Sequence, residues 1–405
     1  RIPQSPTAPV LLTAVLLAAA CSPGPEPPVE ITGHTVQDSA GVTIVESARP
    51  AWGEGEGWSL SQEPVMSIGA VDGPDEYLLY HSSSAIRLED GRIVVSNGGS
   101  QELRFYNSQG RYLLASGADG EGPGEFRSIG FIWRLGQDSL AVLDFGLYRV
   151  SFFDKEGAFS RSIRFGEGGG DLAFPFGMFA DGTFLALVSG RDAGKYEADL
   201  GSIRDLVEHR LYGRDGRLLR PLVTLAGNEL YRAVRPDGSG VSTSLHHGLR
   251  AWALTGSDTW YYGGSEAFEI QEWSREGELL RIIRLERERR AMPEEVAADW
   301  QERLQRMNPQ ARAFRTPIPL PERLPAYEQI MLDRAGNLWM AEYLVLDETP
   351  RWQVISPDGH WLGSVAMPPG GRISEIGSDY VLGTWKDEMD VETVRMYALE
   401  KPRGG

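Results

Sequence analysis

Few side chains in this chain have the type and placement to do chemistry. His246 and His247 form an adjacent pair inside a long polar segment. Imidazole serves as a base or a metal ligand. Neighbours in an extended segment point opposite ways, so at most one of the two rings is expected to reach a common centre. Arg250 and Trp252 follow at a spacing of two, which puts a cation and an indole on one face of a strand. Asp387, Glu388 and Asp390 make an acidic loop after Trp385. Their spacing is not that of a calcium loop, and solvated charge is the reading preferred for them. Tyr261 and Tyr343 close apolar runs, where a phenol lines a rim or packs in a core. Gly-x-Ser-x-Gly, His-Glu-x-x-His and phosphate-binding glycine loops do not occur. Neither a catalytic residue, a metal nor a cofactor is expected.

The lone cysteine, Cys21, excludes an intramolecular disulfide. It follows Val10–Ala20, an apolar run too short to span a membrane but suited to a signal-peptide core, read over residues 1–20. Leu17-Ala18-Ala19-Ala20-Cys21 resembles the lipobox of bacterial lipoproteins, in which the preceding segment is removed and the cysteine carries lipid. That resemblance implies a membrane partner through Cys21. Ser22 in place of aspartate implies an outer-membrane location facing the periplasm. Residues 21–40 are expected to be the lipidated cysteine and a flexible tether, which opens with SPGPEPPVE at 22–30. The chain opens on Arg1 rather than methionine, as a truncated start or a mis-set gene boundary would give. A net charge of −17 argues against nucleic-acid binding.

The elements that must position these residues are short. Runs rich in β-branched and aromatic residues alternate with turns, and 48 glycines fit that pattern. Gly110–Phe126, GRYLLASGADGEGPGEF, is echoed by Ser67–Tyr77: strand end, Gly, Asp-Gly, Pro, acid, aromatic. Four-residue turns ending in Gly110, Gly157, Gly216, Gly277 and Gly359 recur between third and fourth strands of successive groups. A repeated four-strand unit is the signature of a β-propeller. Five groups are complete, and the last has three strands. Trp58–Ile68 is the candidate for its missing outer strand, so the expected fold is an all-β, six-bladed propeller over 41–400, closed by an N-terminal strand. A seventh blade beginning at Val42–Glu46 is the alternative. Val296, Trp300, Leu304, Met307 and Ala311 predict one helix over Pro293–Arg312, within an insertion spanning 286–326 between blades 4 and 5.

Leu88–Phe126 and Leu140–Gly157 resemble the NHL repeat, as does Asp333–Trp339. The whole resembles propeller lipoproteins of environmental bacteria. The resemblance implies that Asp144 and Arg149 are blade-stabilising partners, and that Ser96 stands where the first repeat lacks the acid.

In such a ring, the long segments Ser189–Glu208, Ala226–Gly248 and Glu286–Ala326 all fall on one face. The binding candidates at that channel mouth are His246, His247, Arg250, Trp252, Asp144, Tyr343 and Trp385. The expected role is a cell-envelope scaffold that binds a small ligand or protein there without chemistry. The alternative, implied by resemblance, is a metal-dependent gluconolactonase-like hydrolase or lyase drawing on His246 or His247, Asn97 and Asp144.

Overall fold

The computed structural model describes residues 29–31, 33–136, 139–166, 173–189, 200–234, 240–346 and 348–402. The stretch read as a signal peptide, residues 1–20, and Cys21 lie outside them.

Six sheets each carry consecutive antiparallel strands that run from an inner strand outward in chain order, and two of them gain further strands from the N-terminal segment. Blade 1 is Ser84–Arg87, Ile93–Asn97, Glu102–Tyr106 and Tyr112–Ser116. Blade 2 is Ile129–Leu135, Ser139–Asp144, Arg149–Phe153 and Phe159–Arg164. Blade 3 begins Ala173–Met178, Phe184–Ser189, Gly201–Tyr212 and Leu218–Val234. Blade 4 is Trp252–Thr255, Thr259–Gly263, Glu269–Ser274 and Leu279–Leu285. Blade 5 is Tyr327–Leu332, Leu338–Glu342, Arg351–Ile355 and Trp361–Ala366. Blade 6 is Gly371–Ile376, Tyr380–Lys386 and Glu392–Glu400, completed by Met66–Ile68 and Ser59–Leu60. The recurrent turn glycines, Gly110, Gly157, Gly216, Gly277 and Gly359, all have φ between 77° and 90°. That conformation is why glycine recurs there.

The core is divided, with one apolar cluster in each seam. Phe105 with Phe153 fills the seam of blades 1 and 2. Phe152 with Phe184 fills that of 2 and 3, and Leu211 with Trp260 that of 3 and 4. Ile283 with Met340, Trp352 with Trp385, and Leu382 with Ile93 fill the remaining three. Six blades with six filled seams form a closed ring; an open one would leave a seam empty. The closing strand pairs Ile68 with Val394, and Ile68 is 1 % exposed.

The N-terminal segment does more than close the ring. Val42–Ser47 adds in parallel to Leu279–Leu285, on the outer edge of blade 4, so the seventh blade does not form. His34–Ser39 and Val29–Ile31 extend that sheet, with the turn at Ala40–Gly41. The reading of 21–40 as a flexible tether is therefore corrected from Val29 onward: the β-branched residues Val36, Val42, Thr43 and Val45 join a ladder. Ala51 and Trp52 then donate to the Trp361 and Leu362 carbonyls of blade 5. The segment is a strap across the rims of blades 4, 5 and 6.

Two further expectations change. The long loops read at Ser189–Glu208 and Ala226–Gly248 contain strand at 201–208, 226–234 and 240–244. Gly201–Arg204 pairs with Glu229–Arg232, and Gly240–Ser244 pairs with Leu230–Val234, making a three-stranded arm above blade 3. Gly227 and Asn228, which look like a break, lie at a register shift opposite Arg204–Leu206; such a bulge bends a ladder without ending it. The single helix is two, α1 (Glu294–Arg306) and α2 (Pro309–Arg315). Pro309 forces Asn308 out of the helical region, and the Asn308 side chain caps α2 through the Ala311 N–H at 2.8 Å.

The channel is tied at the face opposite the arm and insertion. Glu375 on the inner strand of blade 6 accepts the Arg87 N–H (2.7 Å), Arg134 Nη2 (2.6 Å), Arg334 Nε (3.1 Å) and the Tyr380 hydroxyl (2.9 Å). Blades 1, 2, 5 and 6 thus meet on one carboxylate.

Candidate functional site at the loop-rich mouth

His246 and His247 sit on a turn, closed by the Gly248 N–H donating to the Leu245 carbonyl (3.3 Å), with His247 at φ 56°. A turn, unlike an extended segment, carries adjacent side chains to one side. The two ring centroids are 4.0 Å apart, which corrects the expectation that the two side chains point opposite ways. The His246 ring stacks on Trp300 of α1 at 4.2 Å, and His247 Nδ1 lies 3.0 Å from the Tyr343 hydroxyl. Helix α1 buries Val296, Trp300 and Leu304, and Val296 clusters with Leu324 and Val345, so its apolar stripe lies on the propeller.

The chain then enters blade 4 outside any ladder. Three successive N–H groups are held by side chains instead: Leu249 by Glu229 (2.9 Å), Arg250 by Ser265 Oγ (2.8 Å) and Ala251 by Asn228 (2.9 Å). Ser265 is itself fixed, its N–H donating to the buried Tyr327 hydroxyl at 3.1 Å. Arg250 therefore precedes the strand, which starts at Trp252, and its backbone is rigidly placed. Among the described residues its guanidinium has no hydrogen bond or ion pair.

Sequence reasoning missed Glu328. The inner strands of blades 2, 3, 5 and 6 share an irregularity near their first residues, at Ile129/Ile132, Pro175/Gly177, Tyr327/Gln329 and Ile373/Glu375. A bulge re-aims a side chain, and Phe131, Phe176, Glu328 and Ser374 occupy these positions. Glu328 is exposed, and on an innermost strand that exposure is to the channel or its mouth. Protein still surrounds it closely: desolvation raises its carboxyl above the ordinary range, partly offset by the Leu344 N–H. Desolvation also raises the Tyr343 phenol, with Glu328 adding to the shift and Arg250 opposing it. That coupling brings Arg250, Glu328 and Tyr343 into one electrostatic environment. Burial holds the His246 imidazole down at about 4, helped by His247 and Arg303. It lowers His247 too, with Arg303. Both rings are neutral at pH 7.

The remaining candidates lie elsewhere. Asp144 is fully buried and accepts the N–H groups of Arg127 (3.1 Å), Ser128 (3.1 Å), Gly146 (2.9 Å) and Leu147 (3.1 Å). Arg149 clamps the carbonyls of Glu121, Gly122 and Glu125. Arg149 therefore shapes the GEGPGE loop, and Asp144 ties the residues just after that loop to the turn at Gly146–Leu147, rather than the two side chains bonding to one another. Asn97, not Ser96, takes the acid's position in blade 1, accepting the Tyr80 N–H at 2.8 Å. Trp385 is a core residue, 2 % exposed, against Tyr397. Asp387 caps its own turn through Met389 and Val391. Tyr261 donates to Glu272 and borders a cleft of about 560 Å³ on the tied face. Trp252 lines a cavity of about 70 Å³ in the seam of blades 3 and 4, beside buried His209. Among the described residues, no three His, Cys, Asp or Glu side chains gather as a metal ion requires.

Residues 73–168 match a family model described as a six-bladed β-propeller. The fold is similar to that of an exported protein from Bacteroides fragilis, at 11% identity and TM-score 0.46, covering 88% of this chain and 100% of that one. It is also similar to virginiamycin B lyase from Staphylococcus aureus, at 8% identity and TM-score 0.42, covering 85% and 100%. A third likeness is to regucalcin, a calcium-binding protein from Agrobacterium tumefaciens, at 11% identity and TM-score 0.36, covering 81% and 94%. No curated protein sequence matches. The chain is a six-bladed β-propeller.

Proposed function

We propose that this propeller is a binding scaffold of the bacterial cell envelope, lipid-anchored through Cys21, that holds its ligand at the loop-rich channel mouth without transforming it. The observation that carries the reading is convergence: the His246–His247 turn stacks on α1 and meets Tyr343, whose phenol feels both Glu328 of blade 5 and Arg250, while the opposite end of the channel is tied by Glu375. A mouth closed behind and roofed on one side is a receptacle, and such sites sit on loops carried by rigid scaffolds. The candidates for catalysis are otherwise engaged: Asn97 and Asp144 hold backbone N–H groups. A fragment-binding titration of the purified chain tests the site. Bound fragments should be lost on His247→Ala or Tyr343→Phe; binding unaffected by both places the site elsewhere, and turnover abolished by His247→Ala overturns the non-catalytic reading. For the anchor, Cys21→Ser should move the protein from the membrane fraction to the soluble one.

A further inference from the structure

The mouth is chemically two-sided. In a ring of six, blade 2 stands opposite blade 5, and blade 3 opposite blade 6. On blades 2 and 3 the mouth is aromatic. Phe131, the bulge residue of blade 2, is 43 % exposed on an innermost strand. Its ring meets Phe145 edge-on at 5.6 Å, and Phe145 stacks on Phe174 of blade 3 at 5.4 Å and 12°. Gly130 makes this possible, since a Cβ there would come within 2.4 Å of Phe145. Exposed aromatic surface on an inner strand adds nothing to the seams, which are filled without Phe131. On blades 4 to 6 the mouth is polar: Tyr343, Glu328, and two arginines. Arg372 is engaged with the Ser82 carbonyl. Arg250 keeps its guanidinium unpaired among the described residues, on a backbone fixed by Ser265.

Resting on the reading of this mouth as a ligand site, we propose that it takes a small aromatic carboxylate, its flat body on Phe131, Phe145 and Phe174 and its carboxylate on Arg250. An unpaired planar guanidinium matches a carboxylate in a way an aliphatic ammonium does not. Offset and edge-on packing places a ligand ring against the phenylalanine wall. Glu328 shares the polar side and repels the anion, so the carboxylate sits on the Arg250 side of the mouth.

The test is calorimetric titration of the full chain with 3-phenylpropionate, acetate and the neutral 3-phenylpropanol. The aromatic acid should bind best, with acetate weaker for want of the ring. Arg250→Gln should weaken the acid about tenfold and leave the alcohol unchanged. Phe131→Ala should weaken both aromatic compounds, and Glu328→Gln should tighten the acid a few-fold. Equal affinity for acid and alcohol, or an acid affinity indifferent to Arg250→Gln, overturns the inference while leaving the site reading intact. Aromatic binding that ignores Phe131→Ala, Arg250→Gln and Tyr343→Phe alike overturns both. A melting temperature within a degree or two of the parent's shows that each variant is folded.

Discussion

His209 offers a quantitative test of the seam between blades 3 and 4. It is 2 % exposed, stacked on Trp260 at 5.0 Å and edge-on to Phe176 and Tyr262 at 6.0 Å, and its Nδ1 has no hydrogen-bond partner. Desolvation lowers its imidazole from 6.5 to about 4. Below pH 6.5 the unfolded chain binds a proton at this site that the folded chain refuses, so stability is present in full above that value and is lost as pH falls toward 4. The two values give a loss of about 2 kcal/mol between pH 7 and pH 5, and about 3 kcal/mol by pH 4. His209→Phe keeps a ring among rings and removes the titration. With an unfolding entropy of about 2 cal/mol/K per residue, 2 kcal/mol corresponds to a Tm difference of roughly 2–3 °C in a propeller of this size. Scanning calorimetry at pH 7 and pH 5 on both proteins isolates the term, because His34, His246 and His247 are common to both. The parent should lose 2–3 °C more than the variant. An equal loss in both refutes the desolvated state assigned to this ring.

Three other outcomes follow from the geometry. Asp144→Ala leaves four half-buried N–H groups without their charged acceptor and should cost about 2–4 kcal/mol, read by chemical denaturation; a cost under 1 kcal/mol means water replaces the carboxylate. Gly216→Ala should destabilise far more than Gly41→Ala. Both glycines have positive φ, worth about 1 kcal/mol each, but a Cβ at Gly216 would meet the Arg164 carbonyl at 2.2 Å and one at Gly41 meets nothing within 4 Å. Ile68→Ala, in the closing strand, should cost about 2–4 kcal/mol and raise susceptibility to proteolysis in blade 6 before the other blades.

What could be read from the chain was whatever local rules decide. The turn glycines betrayed the hairpins because only their φ > 0 satisfies a tight turn, and five hairpins with an unmatched three-strand group pointed to closure by Trp58–Ile68. The β-arm escaped because Gly227 and Asn228 are loop-formers by propensity and become strand only when an existing ladder runs past them. Val42–Glu46 reads as a strand, but the alternative that it starts a seventh blade misplaces it, since nothing local tells a strand which edge it will find. The site was half legible. His246, His247, Arg250 and Tyr343 come together at the proposed mouth, whereas Trp385 and Asp144 have the right chemistry in the wrong surroundings. Glu328 and Phe131 owe their roles to bulges, which are a property of two paired strands and leave no mark on one.

The strap also dictates the order in which this molecule can be completed. The Ala398 N–H donates to the Ser61 hydroxyl across 337 residues of chain. Closing a flexible loop of that length costs about 5 kcal/mol in chain entropy, so the pairing cannot nucleate folding. Blades 1 to 5 are local hairpins whose seams assemble stepwise, and each one docked shortens the effective loop that remains. Until the last strand is available, residues 59–68 wait as an unpaired edge, the kind of edge that pairs with another copy instead. A chain stopped just short of Glu392 would therefore fold most of its blades and aggregate through the strap, an outcome set by kinetics rather than by the stability of any blade.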